Sequence, residues 1–127
     1  MGGDQLRRVL IVDPDDGSRV AAEQYLASAH WRVRSSACPR EALAMLSTRG
    51  FDAILVDLRL DEGAPEAALR VAAAARRASQ RTRIVVLGDR SSDADALVRL
   101  EPYATAVIRR PQTMQVVERA LRGLPPR

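Results

Sequence analysis

Two aspartates, Asp13 and Asp57, each end an apolar run that has the length of a strand. Asp13 follows Arg8-Val9-Leu10-Ile11-Val12, and Asp57 closes the run that begins at Phe51. If both runs are strands of one parallel sheet, the two carboxylates emerge at the same edge, where the apolar cover stops and a side chain is placed for chemistry. The other reading is that each acid only starts the next loop, as Asp often does.

The elements that must position these acids follow from the hydrophobic pattern. Five runs predict β-strands, near residues 8–12, 31–36, 52–57, 83–88 and 104–109, and helical patterns predict helices near residues 17–29, 39–48, 65–79, 91–100 and 112–122. This alternation predicts an α/β, flavodoxin-like, doubly wound (βα)5 fold with a five-stranded parallel sheet in the order 2-1-3-4-5. Its crevice opens at the carboxyl ends of strands one and three, which carry the two acids.

Local signals refine these elements. Asp16 is the predicted N-cap of the first helix, and Gly50 and Gly123 stand where helices two and five should stop. Strands one, three and four are almost wholly apolar and should be central, whereas the more mixed strands two and five should lie at or near the edges.

The length of 127 residues favours one domain of ordinary size rather than several. We expect a single domain over residues 1–127, with its core at about 7–122 and residues 123–127 as a tail or the start of a linker. Hydrophobic residues make up 46% and aromatic residues 3%, so the core must be aliphatic. One cysteine, Cys38, excludes an internal disulfide, and neither a signal peptide nor a run of ~20 apolar residues occurs. These features favour the cytoplasm and no membrane partner.

All 20 basic residues are arginines, and the net charge is +4. Near the edge of the sheet opposite the two acids we expect a group of eight: Arg7, Arg8, Arg49, Arg76, Arg77, Arg81, Arg83 and Arg122. They either complement helix C-terminal dipoles and keep the surface solvated or bind an anionic partner such as nucleic acid. The chain has no helix-turn-helix, zinc or aromatic-interleaved basic motif to support nucleic acid specifically.

Four motifs together resemble the receiver domain of bacterial response regulators. They are Val9-Leu10-Ile11-Val12-Asp13-Pro14-Asp15-Asp16, Glu41-Ala42-Leu43, Ile54-Leu55-Val56-Asp57-Leu58-Arg59-Leu60 and Arg110-Pro111. The resemblance extends from about Arg7 to Leu121, and it implies phosphoryl transfer from a histidine kinase to Asp57. It also implies Mg²⁺ held by Asp13, Asp57 and the backbone carbonyl of Arg59.

The sequence departs from that family pattern at five positions. Pro14 replaces the second acid, which is usually a direct metal ligand, and Asp15 is the candidate to compensate through a water. Gly88 occupies the position at which the hydroxyl of a Ser or Thr binds the phosphoryl group in the family, and Arg110 occupies the position at which a lysine is expected. Val107 replaces the aromatic switch, and Asp61 replaces a proline four residues after the acceptor.

These departures predict a degenerate receiver that acts largely through protein–protein contacts and not as an enzyme. Its partners would be a histidine kinase or another signalling protein, or a second copy bound through helix four, strand five and helix five. A fully working, phosphorylatable receiver stays open as an alternative. So does a small enzyme or nucleotide binder on the same fold, although the acidic loop Asp13-Pro14-Asp15-Asp16-Gly17 would repel a phosphate unless a cation intervened.

Overall fold

The computed structural model describes residues 6–60, 66–89 and 94–125. Within them lies one five-stranded parallel sheet in the order β2-β1-β3-β4-β5, which confirms the predicted topology. Its strands are β1 (Arg7–Val12), β2 (Trp31–Ser36), β3 (Ala53–Asp57), β4 (Arg83–Gly88) and β5 (Ala106–Arg109). The mixed strands β2 and β5 form its two edges, as their composition predicts.

Five α-helices alternate with these strands. They are α1 (Asp16–Ser28), α2 (Pro39–Thr48), α3 (Glu66–Ala78), α4 (Ala94–Leu100) and α5 (Met114–Arg122), and a short 3₁₀ turn, Leu58–Leu60, follows β3. The predicted bounds of α2, β2 and β4 are confirmed to the residue. β5 is shorter than predicted, because residues 104 and 105 lie before the strand in the connection from α4.

The core consists of two mostly aliphatic layers, one on each face of the sheet. Alternate residues of β1 point to opposite sides, so that Leu10 and Val12 pack with α2, α3 and α4, while Val9 and Ile11 pack with α1 and α5. α3 contributes mainly alanines, which allow the helix to approach the sheet closely. Cover on both faces explains why the central strands are apolar throughout.

The register of the central strands brings their carboxyl ends level. Val12 of β1 lies beside Val56 of β3, and Asp57 lies beside Leu87 of β4. Gly88 then lies beside Arg109 of β5. Residues that follow these positions, including Asp13 and Arg110, therefore gather at one edge of the sheet.

The helix ends correct one prediction and confirm another. The N-cap of α1 is Asp15 and not Asp16, because Asp15 has the extended backbone and its Oδ2 accepts from the Ser18 N–H at 2.7 Å. Asp16 is the first helical residue and pairs with Arg19 instead. Gly123 ends α5 in the left-handed conformation with a φ of 80°, as predicted, and α2 ends just before Gly50.

In the described ranges, no helix is both long enough and apolar enough to cross a bilayer.

Candidate functional site

The two aspartates that the sequence singles out are both buried at the carboxyl edge of the sheet. Asp13 is 4% exposed and Asp57 is 1% exposed. They share two cationic neighbours, since Arg59 and Arg110 each approach both carboxylates within 4.0 Å. The prediction that the acids converge at one crevice is therefore correct in its geometry.

Asp57 accepts hydrogen bonds at both carboxylate oxygens. Arg59 binds it as a fork, with Nε 3.0 Å from Oδ1 and Nη2 2.8 Å from Oδ2, and the backbone N–H of Arg59 also donates to Oδ1 at 2.8 Å. Arg110 Nη2 donates to Oδ2 at 2.6 Å. Parallel donation from a planar guanidinium group is among the stronger charge-assisted contacts in proteins. Two arginines thus hold this carboxylate in its ionised form.

The electrostatics of Asp57 follow from that arrangement. Burial alone would raise the pKa of Asp57, but the hydrogen bonds from Arg59 and Arg110 outweigh burial and leave the pKa below its ordinary value. The hydrogen bond to Asp57 in turn raises the pKa of Arg59. The carboxylate is therefore a weaker base than an ordinary aspartate.

Asp13 is engaged mainly by its own loop. Its Oδ1 accepts from the backbone N–H of Asp15 at 2.9 Å, and its Oδ2 accepts from Ser18 Oγ at 2.6 Å. Arg19 Nη1 donates to the backbone carbonyl of Asp13 at 3.0 Å. These bonds fix the loop after β1 and the first turn of α1 together, and they use Asp15 as the helix cap.

The far wall of the crevice is formed by the ends of β4 and β5. Gly88 is buried and offers no hydroxyl, but its carbonyl accepts from the backbone N–H of Arg110 at 2.8 Å. The neighbouring Asp89 has Oδ1 3.5 Å from Arg110 Nη1. Arg110 therefore bridges the carboxylates of β3 and the β4 loop.

Sequence reasoning missed the role of one side chain. Only the backbone carbonyl of Arg59 was expected at the site, yet its guanidinium group is the main partner of Asp57. The 3₁₀ turn Leu58–Leu60 provides the reason, because it folds the chain back so that a side chain two residues after the acid returns to it. An Asp-x-Arg pattern directly after a buried strand was the available signal.

The resemblance implies Mg²⁺ here, and the side chains allow that implication to be tested. Mg²⁺ demands near-octahedral oxygen ligands with free lone pairs. Pro14 supplies no carboxylate, and Arg59 already occupies both oxygens of Asp57. In the described part of the chain, no group of three or more His, Cys, Asp or Glu side chains is arranged to hold a metal. The residues present do not fit a Mg²⁺ ion.

Val107 and Asp61 are the two remaining positions that depart from the family pattern. Val107 lies on β5 and is 39% exposed, so the position of the expected aromatic switch carries a small side chain at the surface. Asp61, the predicted extra acid near the pocket, lies outside the described residues.

Comparison with known proteins identifies the family. Residues 9–122 match the model of the response regulator receiver domain. The regulatory protein VirG of Rhizobium rhizogenes is 30% identical over 106 residues, which cover 84% of this chain and 43% of that protein. The chain thus spans less than half the length of this curated relative.

Solved structures show the same fold. A CheY-like receiver domain protein from Methanospirillum hungatei JF-1 has a TM-score of 0.83 at 20% identity, over 94% of this chain and 93% of that chain. A response regulator from Burkholderia pseudomallei, solved with a phosphorylated aspartic acid, calcium ion and citrate, has a TM-score of 0.78 at 22% identity, over 91% and 66%. These structures share the fold, and the match over residues 9–122 establishes that the chain belongs to the response regulator receiver domain family.

Proposed function

We propose that this receiver domain works mainly as a binding module, in which two arginines prevent the Asp57 carboxylate from accepting a phosphoryl group. Receiver domains are signalling domains, and they typically bind Mg²⁺ at the phosphorylation site. The observation that carries the proposal is the occupation of both Asp57 oxygens by Arg59 and Arg110. We assign the domain a signalling role and no enzymatic one.

The chemistry of phosphoryl transfer explains why these contacts matter. An attacking carboxylate oxygen must approach the phosphorus in line, while cations neutralise the charge on the other phosphoryl oxygens. Here Oδ1 of Asp57 faces two donors of Arg59, and Oδ2 faces one donor each from Arg59 and Arg110. Attack requires at least one of these hydrogen bonds to break. In addition, Gly88 has no hydroxyl that could donate a hydrogen bond to the phosphoryl group.

The output of such a domain would depend on protein contacts. Response regulators interact with histidine kinases and other signalling proteins. For this chain we propose the surface formed by α4, β5 and α5, with a second copy as one partner. Val98 of α4 is 63% exposed and Val107 of β5 is 39% exposed, which supports an apolar contact there.

The single cysteine, Cys38, supports a reducing compartment, the cytoplasm.

Chemical phosphorylation tests the proposal. The protein is incubated with Mg²⁺ and a small acyl-phosphate donor and then weighed by mass spectrometry, beside the Asp57→Asn variant. We expect no stoichiometric mass gain in either protein. A gain of one phosphate that disappears in Asp57→Asn would establish the alternative, a working phosphorylatable receiver.

Light scattering across a range of protein concentrations tests the second copy as a partner. We expect a dimer that the Val98→Asp substitution dissociates, because a charge would be buried in the contact. A wild-type chain that stays monomeric throughout would exclude the homodimer.

A further inference from the structure

A basic pocket lies at the edge of the sheet opposite the two aspartates. It encloses about 430 Å³ and is lined by Arg8, Arg32, Val33, Arg34, Arg49 and Phe51. We refer to it as the four-arginine pocket. Its volume falls within the range of sites that hold small molecules in proteins, roughly 300–1,000 Å³.

The register of two strands and the end of one helix assemble this pocket. Arg8 of β1 lies directly beside Arg32 of β2. Arg34 lies two residues further along β2 and so projects to the same face. Arg49 is the residue after α2 and joins them from the helix layer. Four arginines from three elements therefore line one concavity.

Three other arginines near the same edge have partners within the fold. Arg76 donates to the backbone carbonyls of residues 79, 80, 82 and 103, Arg83 donates to the carbonyl of Ala120, and Arg122 pairs with Glu118. Those three arginines stabilise the fold by these contacts. By contrast, across the described ranges no side-chain hydrogen bond or ion pair involves a guanidinium group of the four-arginine pocket.

This concentration of like charge disfavours the folded state unless a ligand compensates for it. Arg8 and Arg32 are neighbours across a strand pair, and Arg32 and Arg34 are neighbours on one face. The carboxylate of Asp52 accepts from the backbone N–H of Arg8, and no ion pair joins it to the Arg8 guanidinium. Like charges at such spacing repel, and a multivalent anion at the centre would replace the repulsion with attraction.

We propose that the four-arginine pocket binds a compact polyanion that carries two or more phosphoryl groups, of the di- or triphosphate class. Guanidinium groups match phosphate oxygens as planar forks, and four of them suit a ligand with several negative charges. The concave shape favours a small molecule, because a nucleic acid duplex needs a stripe of cations along its backbone. The site is independent of Asp57, which lies at the other edge of the sheet.

Calorimetric titration tests the site at constant ionic strength, with inorganic tripolyphosphate and pyrophosphate as probes and orthophosphate as the reference. We expect tripolyphosphate to bind with one-to-one stoichiometry and at least about tenfold more tightly than orthophosphate. A parallel titration with a nucleoside triphosphate distinguishes inorganic from nucleotide sources of the same chemistry.

Two double variants separate the pocket from general attraction to a basic protein. Arg32→Gln with Arg34→Gln removes two pocket charges from exposed positions of an edge strand, and circular dichroism verifies the fold. Arg77→Gln with Arg81→Gln removes the same charge from exposed positions that do not line the pocket. We expect the first pair to weaken tripolyphosphate binding at least about tenfold and the second less than about twofold.

Three results would overturn the proposal. One is the lack of saturable tripolyphosphate binding by the wild-type chain. Another is an equal loss of binding in the two double variants, which would assign the affinity to net charge. The last is binding of a DNA duplex, with a strong salt dependence, in place of the small polyanions, which would make the surface a nucleic-acid site.

Discussion

Arg110 Nη2 lies 2.6 Å from Oδ2 of Asp57, although 53 positions separate the two residues in the chain. This contact joins the connection after β5 to the end of β3 and completes the charge balance that Arg59 begins. A site that resembles a metal-dependent phosphoacceptor is therefore held together by guanidinium groups. The loss of one charge should therefore destabilise the protein, as it does in an ion-pair network. In a cluster of repelling acids, the same loss would stabilise it.

Removal of the charge on Asp57 should destabilise the protein. The Asp57→Asn variant leaves one acceptor oxygen and turns an amide group toward the guanidinium donors, so we expect a loss of about 1–3 kcal/mol in the free energy of unfolding. Urea denaturation at neutral pH measures it. The control is Asp16→Asn, which removes the ion pair between the exposed Asp16 carboxylate and Arg19, and the change should be clearly smaller. A gain in stability for Asp57→Asn would mean that repulsion between Asp13 and Asp57 dominates the site.

The same contacts predict how stability depends on pH. Because the folded-state pKa of Asp57 is lowered, its contribution is fully present above the unfolded pKa of about 3.9 and is lost as the pH falls through the folded pKa. The stability difference between the wild type and Asp57→Asn should therefore be constant from about pH 5 to 8 and shrink in more acidic solution. Denaturation curves of both proteins at each pH provide the comparison. A difference that grows on acidification would contradict the lowered pKa.

Restoration of the missing acid together with removal of the competing arginine should create a metal site. In the Pro14→Asp, Arg59→Ala double variant, Mg²⁺ at tenfold above its dissociation constant should stabilise the fold by about 1.4 kcal/mol. The reason is that a new oxygen ligand is added while the oxygens of Asp57 are freed from Arg59. Thermal unfolding with and without Mg²⁺ measures the shift. Pro14→Asp alone retains the guanidinium group and should respond less, and equal stabilisation of the wild type would refute the competition.

The left-handed glycine at the end of α5 should be far less tolerant of alanine than the glycine after α2. In Gly123→Ala, a φ of 80° strains the new residue, and its Cβ would lie 3.1 Å from the Arg83 guanidinium carbon, so we expect a loss of about 1–2 kcal/mol. At Gly50 a Cβ meets no atom within 4 Å. Gly50→Ala should therefore be neutral or stabilising by up to about 1 kcal/mol. Equal losses in both variants, measured by denaturant unfolding, would contradict this account.

Local patterns determined most of the fold. The apolar runs that end at Val12 and Val56 specify buried strands, and their alternation with helices leaves few topologies that obey right-handed crossovers. From these patterns the meeting of Asp13 and Asp57 could be predicted. The N-cap of α1 was misplaced by one residue, because Asp15 and Asp16 are equally suitable by type and only the backbone conformation distinguishes them.

Tertiary structure decided where most of the arginines act. Since every basic residue is an arginine, residue type carries no signal about which guanidinium groups bind carboxylates, which cap helices and which lack a partner. The return of Arg59 to Asp57 depends on the 3₁₀ turn, and the grouping of Arg8, Arg32 and Arg49 depends on strand register and on where α2 ends. Hydrophobic periodicity is a local property that the sequence encodes directly, whereas long flexible charged side chains take their positions from groups that are distant in the chain.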